Sequence, residues 1–359
     1  MATPKRTTGK MGHPEPLVVL PSATHTFSII LLHGRGSNGP RFGLEFLESR
    51  TSGGQTLQEL FPSVKFIFPT AKKRRSTVLK RVKINQWFDN YSLDDPTERQ
   101  DLQYEGLTET TQFLHQLIEE EGTTLQGGVN NVIVGGLSQG GAMALIASLS
   151  FAAEDHHDSS FSKQVEAASK DAATASTTSS YRGSSLGGFI GMSGWLPFAR
   201  DIVSAALPNN PDGNDDEYDD HSDPFVRTSS DSHTVLSEET RAPRGPDAED
   251  SISNRLLRAA NFARDLVDLE PLQGRVMQDE QKVEMTPREE RPNSMPYFLG
   301  HGVLDEKVSV HLGTQIRDVL LQLGRDVTWK QYDDLGHWYK TPDELDNIAN
   351  FLQEKVGMV

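Results

Sequence analysis

The chain contains no cysteine. That excludes disulfides, a thiolate nucleophile and any cysteine-based metal site, and it leaves the redox compartment open. Apolar residues are also scarce. Only 35% of the 359 residues are hydrophobic, so part of the length is expected to bury little. No run approaches 18 apolar residues, and no membrane-crossing helix is expected. Positive charge is outweighed, 35 Lys and Arg against 51 Asp and Glu for a net charge of −16. This argues against general binding to nucleic acid or to anionic membrane. The first ten residues are basic and polar, and no apolar segment of signal length precedes the first core run. The expectation is a soluble cytoplasmic protein, with the nucleus as the other compartment open to it.

What is present centres on residues 131–142. An apolar run ends in Gly136-Leu137-Ser138-Gln139-Gly140, and small and apolar residues follow to Leu149. This pattern reads as strand, sharp turn, helix. The turn puts Ser138 in a strained backbone conformation that only glycine neighbours leave room for. Such an elbow lifts a serine hydroxyl clear of the sheet at a helix N-terminus, as in α/β-hydrolases. The competing reading is a glycine-rich turn carrying a solvated serine.

Earlier in the chain, residues 17–20 and 27–32 read as strands. The second is apolar nearly throughout, as a strand buried on both faces should be. It runs into His33-Gly34-Arg35-Gly36-Ser37-Asn38-Gly39, a loop able to bring backbone N–H groups to a reacting centre. A phosphate-binding loop fits less well, because the spacing matches neither a Walker A motif nor G-x-G-x-x-G; a plain turn is the bland alternative. Residues 42–60 have mixed helical periodicity, and 64–69 read as a third strand. The basic cluster Lys72-Lys73-Arg74-Arg75, with Lys80, Arg81 and Lys83, reads as a solvated loop, with a nuclear import signal or nucleic-acid patch as the functional rivals. Trp87 and Phe88 either line a pocket or anchor the loop. Residues 103–120 carry one apolar helical face, with Gly122 as a stop.

Beyond the elbow the composition shifts. Residues 154–185 are rich in Ser, Ala and Thr, and 208–250 are acidic, so both read as flexible insertions within one domain. Residues 252–267 have helical spacing and are expected to dock on the body, either beside Trp195 or simply over the sheet. Strands follow at 188–193, 296–300 and 327–332, and a helix closes the chain. Strands alternating with helices argue a single doubly wound, mostly parallel sheet flanked by helices, an α/β class fold. Its strand-end loops gather His33, Ser138, Asp305 and His337. The chain order Ser, acid, His is that of α/β-hydrolases. It asks for an acid after the strand preceding the histidine, which favours Asp305 over Glu306, and both over Asp333 and Asp334. His301 precedes that acid and fits less well.

These residues together resemble the phospholipase/carboxylesterase family, whose best-known members are acyl-protein thioesterases. The likeness lies in Leu32-His33-Gly34-x-Gly36, Trp87-Phe88-Asp89, Gly136 to Ala142, Ser193-Gly194-Trp195-Leu196-Pro197, Gly300-His301-Gly302-x-x-Asp305-x-x-Val308 and Gly336-His337. It covers roughly two-thirds of the chain, and its ending is most like fungal members. The resemblance implies an α/β-hydrolase fold with Ser138 as nucleophile, His337 as base and Asp305 as its orienter. It implies backbone N–H groups of Arg35 and Gln139 as oxyanion donors, and Trp87, Trp195 and Leu196 as substrate-binding side chains. No metal and no organic cofactor is implied. The substrate would be an acylated protein or a small acyl ester or thioester, met in solution or in transient contact with a membrane surface. Lysophospholipase and small-ester carboxylesterase activities share this chemistry, and a non-catalytic scaffold is the alternative of a different class. Arg35 stands where leucine is common in the thioesterases, and Ser37 where aspartate is common.

Overall fold

The computed structural model describes residues 12–92, 94–152, 185–207, 252–272 and 295–359. Among the described residues, seven strands form one sheet in the order β1-β3-β2-β6-β7-β8-β9. They are β1 (Leu17–Val19), β2 (Phe27–Leu32), β3 (Val64–Phe68), β6 (Val132–Leu137), β7 (Gly188–Met192), β8 (Tyr297–Gly302) and β9 (Val327–Tyr332). Every pairing is parallel except that of β1, which runs antiparallel to β3 at one edge. Parallel strands need crossovers, and the intervening helices supply them.

The period-two alternation of β2 divides the core. Ile30 and Leu32 face one layer, Ile29 and Leu31 the other, and all four are buried. On the first face lie α3 (Tyr104–Thr124), α4 (Gln139–Ser150), α5 (Ala199–Ala206), α6 (Ile252–Asp265) and α7 (Val310–Gln322). On the second lie α1 (Gly39–Glu48), α2 (Leu57–Leu60) and α8 (Asp343–Phe351). Helix α4 is buried at every position, because the sheet lies on one side of it and α3 and α6 on the other. Its Leu145 and Ile146, both fully buried, each contribute about 1.5–3 kcal/mol by leaving water. Helix α6 docks through Ala259, Ala260 and Ala263. It is held by Arg258 donating to the Ala206 carbonyl at 3.1 Å and Arg264 donating to the Ser150 carbonyl at 2.8 Å.

Three local expectations change. The stretch 42–60 is two helices: Asn38 caps α1 by accepting from Arg41 N–H at 2.8 Å, while Thr56 and Glu59 form a reciprocal capping box at α2. Helix α3 runs past Gly122 to Thr124. A Cβ at Gly122 would lie 2.6 Å from a Val129 methyl, so the glycine answers close packing and not termination. The basic cluster is not a loop but an antiparallel hairpin, β4 (Lys73–Ser76) with β5 (Val82–Asn85). Lys72 and Arg74 both pair with Glu109 of α3, which ties the cluster to the body. The expected insertions, 154–185 and 208–250, lie outside the described residues apart from Ser185.

Candidate active site

Strands β2, β6, β8 and β9 all end on the same edge of the sheet, so the loops that follow them converge. Ser138 follows β6 directly, with φ 56° and ψ −124°. A non-glycine residue there carries about 1–3 kcal/mol of strain, which the surroundings must impose. They do so by close approach. A Cβ at Gly140 would lie 2.2 Å from the Leu32 carbonyl oxygen, and one at Gly136 2.5 Å from the same atom. Ser138 N–H donates to the Met192 carbonyl at 2.9 Å, which pins the elbow to the neighbouring strand.

His337 lies in the loop after β9. Ser193 Oγ steadies that loop by donating to the Trp338 carbonyl at 2.9 Å. Asp305 lies in the loop after β8, its Oδ1 accepting from the N–H groups of Lys307 and Val308, both at 2.9 Å. Asp305 Oδ2 is 2.8 Å from His337 Nδ1, and His337 Nε2 is 2.9 Å from Ser138 Oγ. A carboxylate only accepts, so Nδ1 carries the imidazole proton and Nε2 is the free acceptor. The Ser138 hydroxyl therefore donates to His337, and a proton can leave serine along this line. Burial alone would raise the Asp305 carboxyl, but hydrogen bonds from His301, His337 and Val308 N–H outweigh it and hold the group well below the usual carboxylate range.

The other acids are elsewhere. Glu306 and Asp333 are exposed, and Asp334, also exposed, pairs with Lys340. His301 is more than a bystander. It is buried with Nε2 donating to the Val308 carbonyl at 2.9 Å, and the same nitrogen lies 3.4 Å from Asp305 Oδ2. It supports the acid from beneath, a role that its place in the chain did not reveal.

The loop 33–39 sits beside the serine, since a Cβ at Gly34 would be 3.5 Å from Ser138 Cβ. Gln139 opens α4, so its amide has no carbonyl one turn earlier to bond. Among the described residues, neither the Arg35 nor the Gln139 amide donates to a protein acceptor. Their side chains meet at buried Asn90, whose Oδ1 accepts from Arg35 Nη1 at 3.0 Å and lies 3.3 Å from Gln139 Nε2. Asn90 follows Trp87-Phe88-Asp89 directly, and that adjacency was the available signal for it.

The three expected substrate contacts, Trp87, Trp195 and Leu196, all lie in the interior. Trp87 is fully buried, its indole N–H donating to the His33 carbonyl at 2.8 Å. It props the loop from below. Trp195 and Leu196 are buried in the same core, with Trp195 edge-on to Phe88 at 6.0 Å. No group of three or more His, Asp or Glu side chains among the described residues is placed to hold a metal ion. No helix among them is long and apolar enough to cross a membrane.

Sheet order, elbow and loop positions define the class: an α/β-hydrolase. A sequence profile described as phospholipase/carboxylesterase matches residues 13–155. Acyl-protein thioesterase 1 of Yarrowia lipolytica is 30% identical over 200 residues, spanning 55% of this chain and 70% of that protein. Acyl-protein thioesterase 1 of Neurospora crassa is 23% identical over 348 residues, 96% of this chain and 93% of that one. The crystal structure of Zea mays acyl-protein thioesterase 2 superimposes with a TM-score of 0.54 at 21% identity, covering 96% of this chain and 99% of that one, a likeness of fold. The chain belongs to the phospholipase/carboxylesterase family and is a hydrolase.

Proposed function

We propose that this hydrolase cleaves acyl thioesters or esters through an acyl-enzyme on Ser138, with acylated protein as its substrate class. The observation that carries the reading is the chain Asp305–His337–Ser138, whose hydrogen bonds leave His337 Nε2 free to take the serine proton. As that proton moves to Nε2, Ser138 Oγ bonds to the substrate carbonyl carbon, and the carbonyl oxygen becomes an oxyanion facing the N–H groups of Arg35 and Gln139. Collapse of this intermediate expels the thiol or alcohol, which leaves with the proton from His337. A water then gives a proton to Nε2 and attacks the acyl carbon. The second collapse frees the acid and returns the proton to Ser138 Oγ. Asp305 stays ionised throughout and stabilises the imidazolium. No step calls for a metal or an organic cofactor.

A second reading, hydrolysis of small esters or lysophospholipids, is favoured by the half-buried Arg35 guanidinium beside the loop, since a cation there suits short or polar acyl groups better than a long chain. Turnover of esters and thioesters of graded acyl length, with fluorophosphonate labelling of Ser138, tests both. Efficient turnover of long-chain acyl thioesters supports the first reading, and activity confined to short esters supports the second. Labelling elsewhere than Ser138, or full activity in Ser138→Ala, defeats the serine-hydrolase assignment.

A further inference from the structure

We infer that the His33 imidazole is a positioning residue for hydrolysis, gripping the Gly34–Arg35 peptide so that the Arg35 amide faces the oxyanion. The inference rests on the proposed role of that amide and adds the device that holds it.

His33 is fully buried at the end of β2. Its Nε2 lies 3.0 Å from the Ala71 amide nitrogen. A backbone N–H is only a donor, so Nε2 must be the unprotonated nitrogen, and the proton must sit on Nδ1. Nδ1 lies 2.7 Å from the Gly34 carbonyl oxygen, which accepts that proton. The Ser37 amide donates to the same oxygen at 3.1 Å. The carbonyl and the N–H of a trans peptide point in opposite directions. Two donors on the Gly34 oxygen therefore turn the Arg35 N–H the other way, on a peptide whose Gly34 packs against Ser138.

The ring is itself held. Trp87 lies against it at 4.9 Å between ring centres, and the indole N–H takes the His33 carbonyl. Burial lowers the imidazole to about 4, partly opposed by the bond to Gly34, so the acceptor at Nε2 persists at neutral pH. The Gly36 amide donates to the Asn85 carbonyl at 2.8 Å, fixing the next peptide from the hairpin. Rotation of the Gly34–Arg35 peptide would thus break bonds on the ring and on the loop at once.

Two substitutions separate the ring's two nitrogens. In His33→Gln the side-chain oxygen reaches the Nε2 position and can still accept from Ala71, but the donor to Gly34 is lost. In His33→Asn the amide NH₂ stands at the Nδ1 position and keeps that donor, while the bond to Ala71 is lost. Removing one oxyanion donor costs about 10²–10³ in kcat. His33→Gln is therefore expected to lose about 10² in kcat with KM little changed, and His33→Asn to recover most of that loss. Equal losses in the two variants, or a worse loss in His33→Asn, would overturn the inference. If both variants misfold, the ¹⁵N shifts of His33 in the wild-type protein decide. An Nδ1–H neutral ring at pH 7 supports it, and an Nε2–H ring or an imidazolium sinks it. Ser138→Ala assayed alongside keeps the two levels apart. An inactive Ser138→Ala with no split between the His33 variants refutes only the positioning role.

Discussion

Opposite edges of the sheet each carry a serine, a histidine and a carboxylate joined by hydrogen bonds, and the two sets differ in the order of those bonds. At the candidate site, histidine is the middle member: Ser138 donates to His337, and His337 donates to Asp305. At the other end, serine is the middle member. Ser28 Oγ donates to Glu121 Oε2 at 2.7 Å and accepts from His25 Nε2 at 2.9 Å, while Lys65 pairs with Glu121 at 2.7 Å. The Ser28 proton already rests against a carboxylate, a weak base whose charge Lys65 stabilises. Ser28 lies within a strand, fully buried, with no positive-φ turn to lift it. Residue types alone do not make a site; the order of the bonds and the backbone beneath them do. The Ser28 set instead clamps α3 to the start of the sheet.

The widest test of this contrast is the two serines. Ser138→Ala should lower kcat by on the order of 10⁴–10⁶-fold while leaving the fold intact, whereas Ser28→Ala should leave turnover within about twofold, since that hydroxyl touches nothing that reacts. Steady-state kinetics on one activated ester measures both, and comparable losses would erase the distinction. The carboxylates come next. Asp305→Asn should favour the wrong His337 tautomer at a cost of about 10⁴ in kcat. Asp334→Asn, altering an exposed pair, should cost little. The reverse ranking would move the acid to Asp334.

Glu121→Ala should act on stability alone. It strips Lys65 and Ser28 of their acceptor and should destabilise by about 1–3 kcal/mol, read in urea denaturation, with kcat of the folded enzyme unchanged. A selective fall in kcat would mean that the far cluster reaches the site. A third carboxyl sharpens the contrast further. Glu344 at the start of α8 is fully buried, with Oε2 accepting from Lys340 N–H at 2.8 Å and Oε1 without a partner. Burial raises this carboxyl from 4.5 to about 8, partly opposed by the Lys340 N–H. Its folded value is above its unfolded one, so its contribution is complete below pH 4.5 and is lost as pH rises towards 8. The loss is on the order of 1 kcal/mol per pH unit at most. Glu344→Gln should therefore flatten the decline in stability between pH 5 and 8, and a variant that tracks wild type across this window would show that Glu344 is ionised throughout.

Much of the architecture was legible because it rests on short-range pattern. The apolar runs of β2 and β6, interrupted only by Ser28, mark strands buried on both faces. The glycines around Ser138 mark a turn that larger residues would not fit, and the pattern of small and apolar residues after it marks a helix buried all round. The Ser, acid, His order followed from these elements in turn. Some misses were local as well: the Thr56–Glu59 capping box was present in the sequence and announces the second helix of the 42–60 stretch.

Other features were decided only in three dimensions. Four consecutive cations show no alternation, so no pattern marks β4, and its partner Glu109 lies 35 residues away from Arg74. An indole in the sequence does not name its partner, and only the fold brings the Trp87 N–H to the His33 carbonyl. Asp305 is separated from His337 by 32 residues, and His337 from Ser138 by 199. Composition and spacing brought those three side chains to one edge of the sheet. Hydrogen-bond direction, and hence which nitrogen of each histidine holds its proton, came from contacts between distant loops that no local pattern encodes.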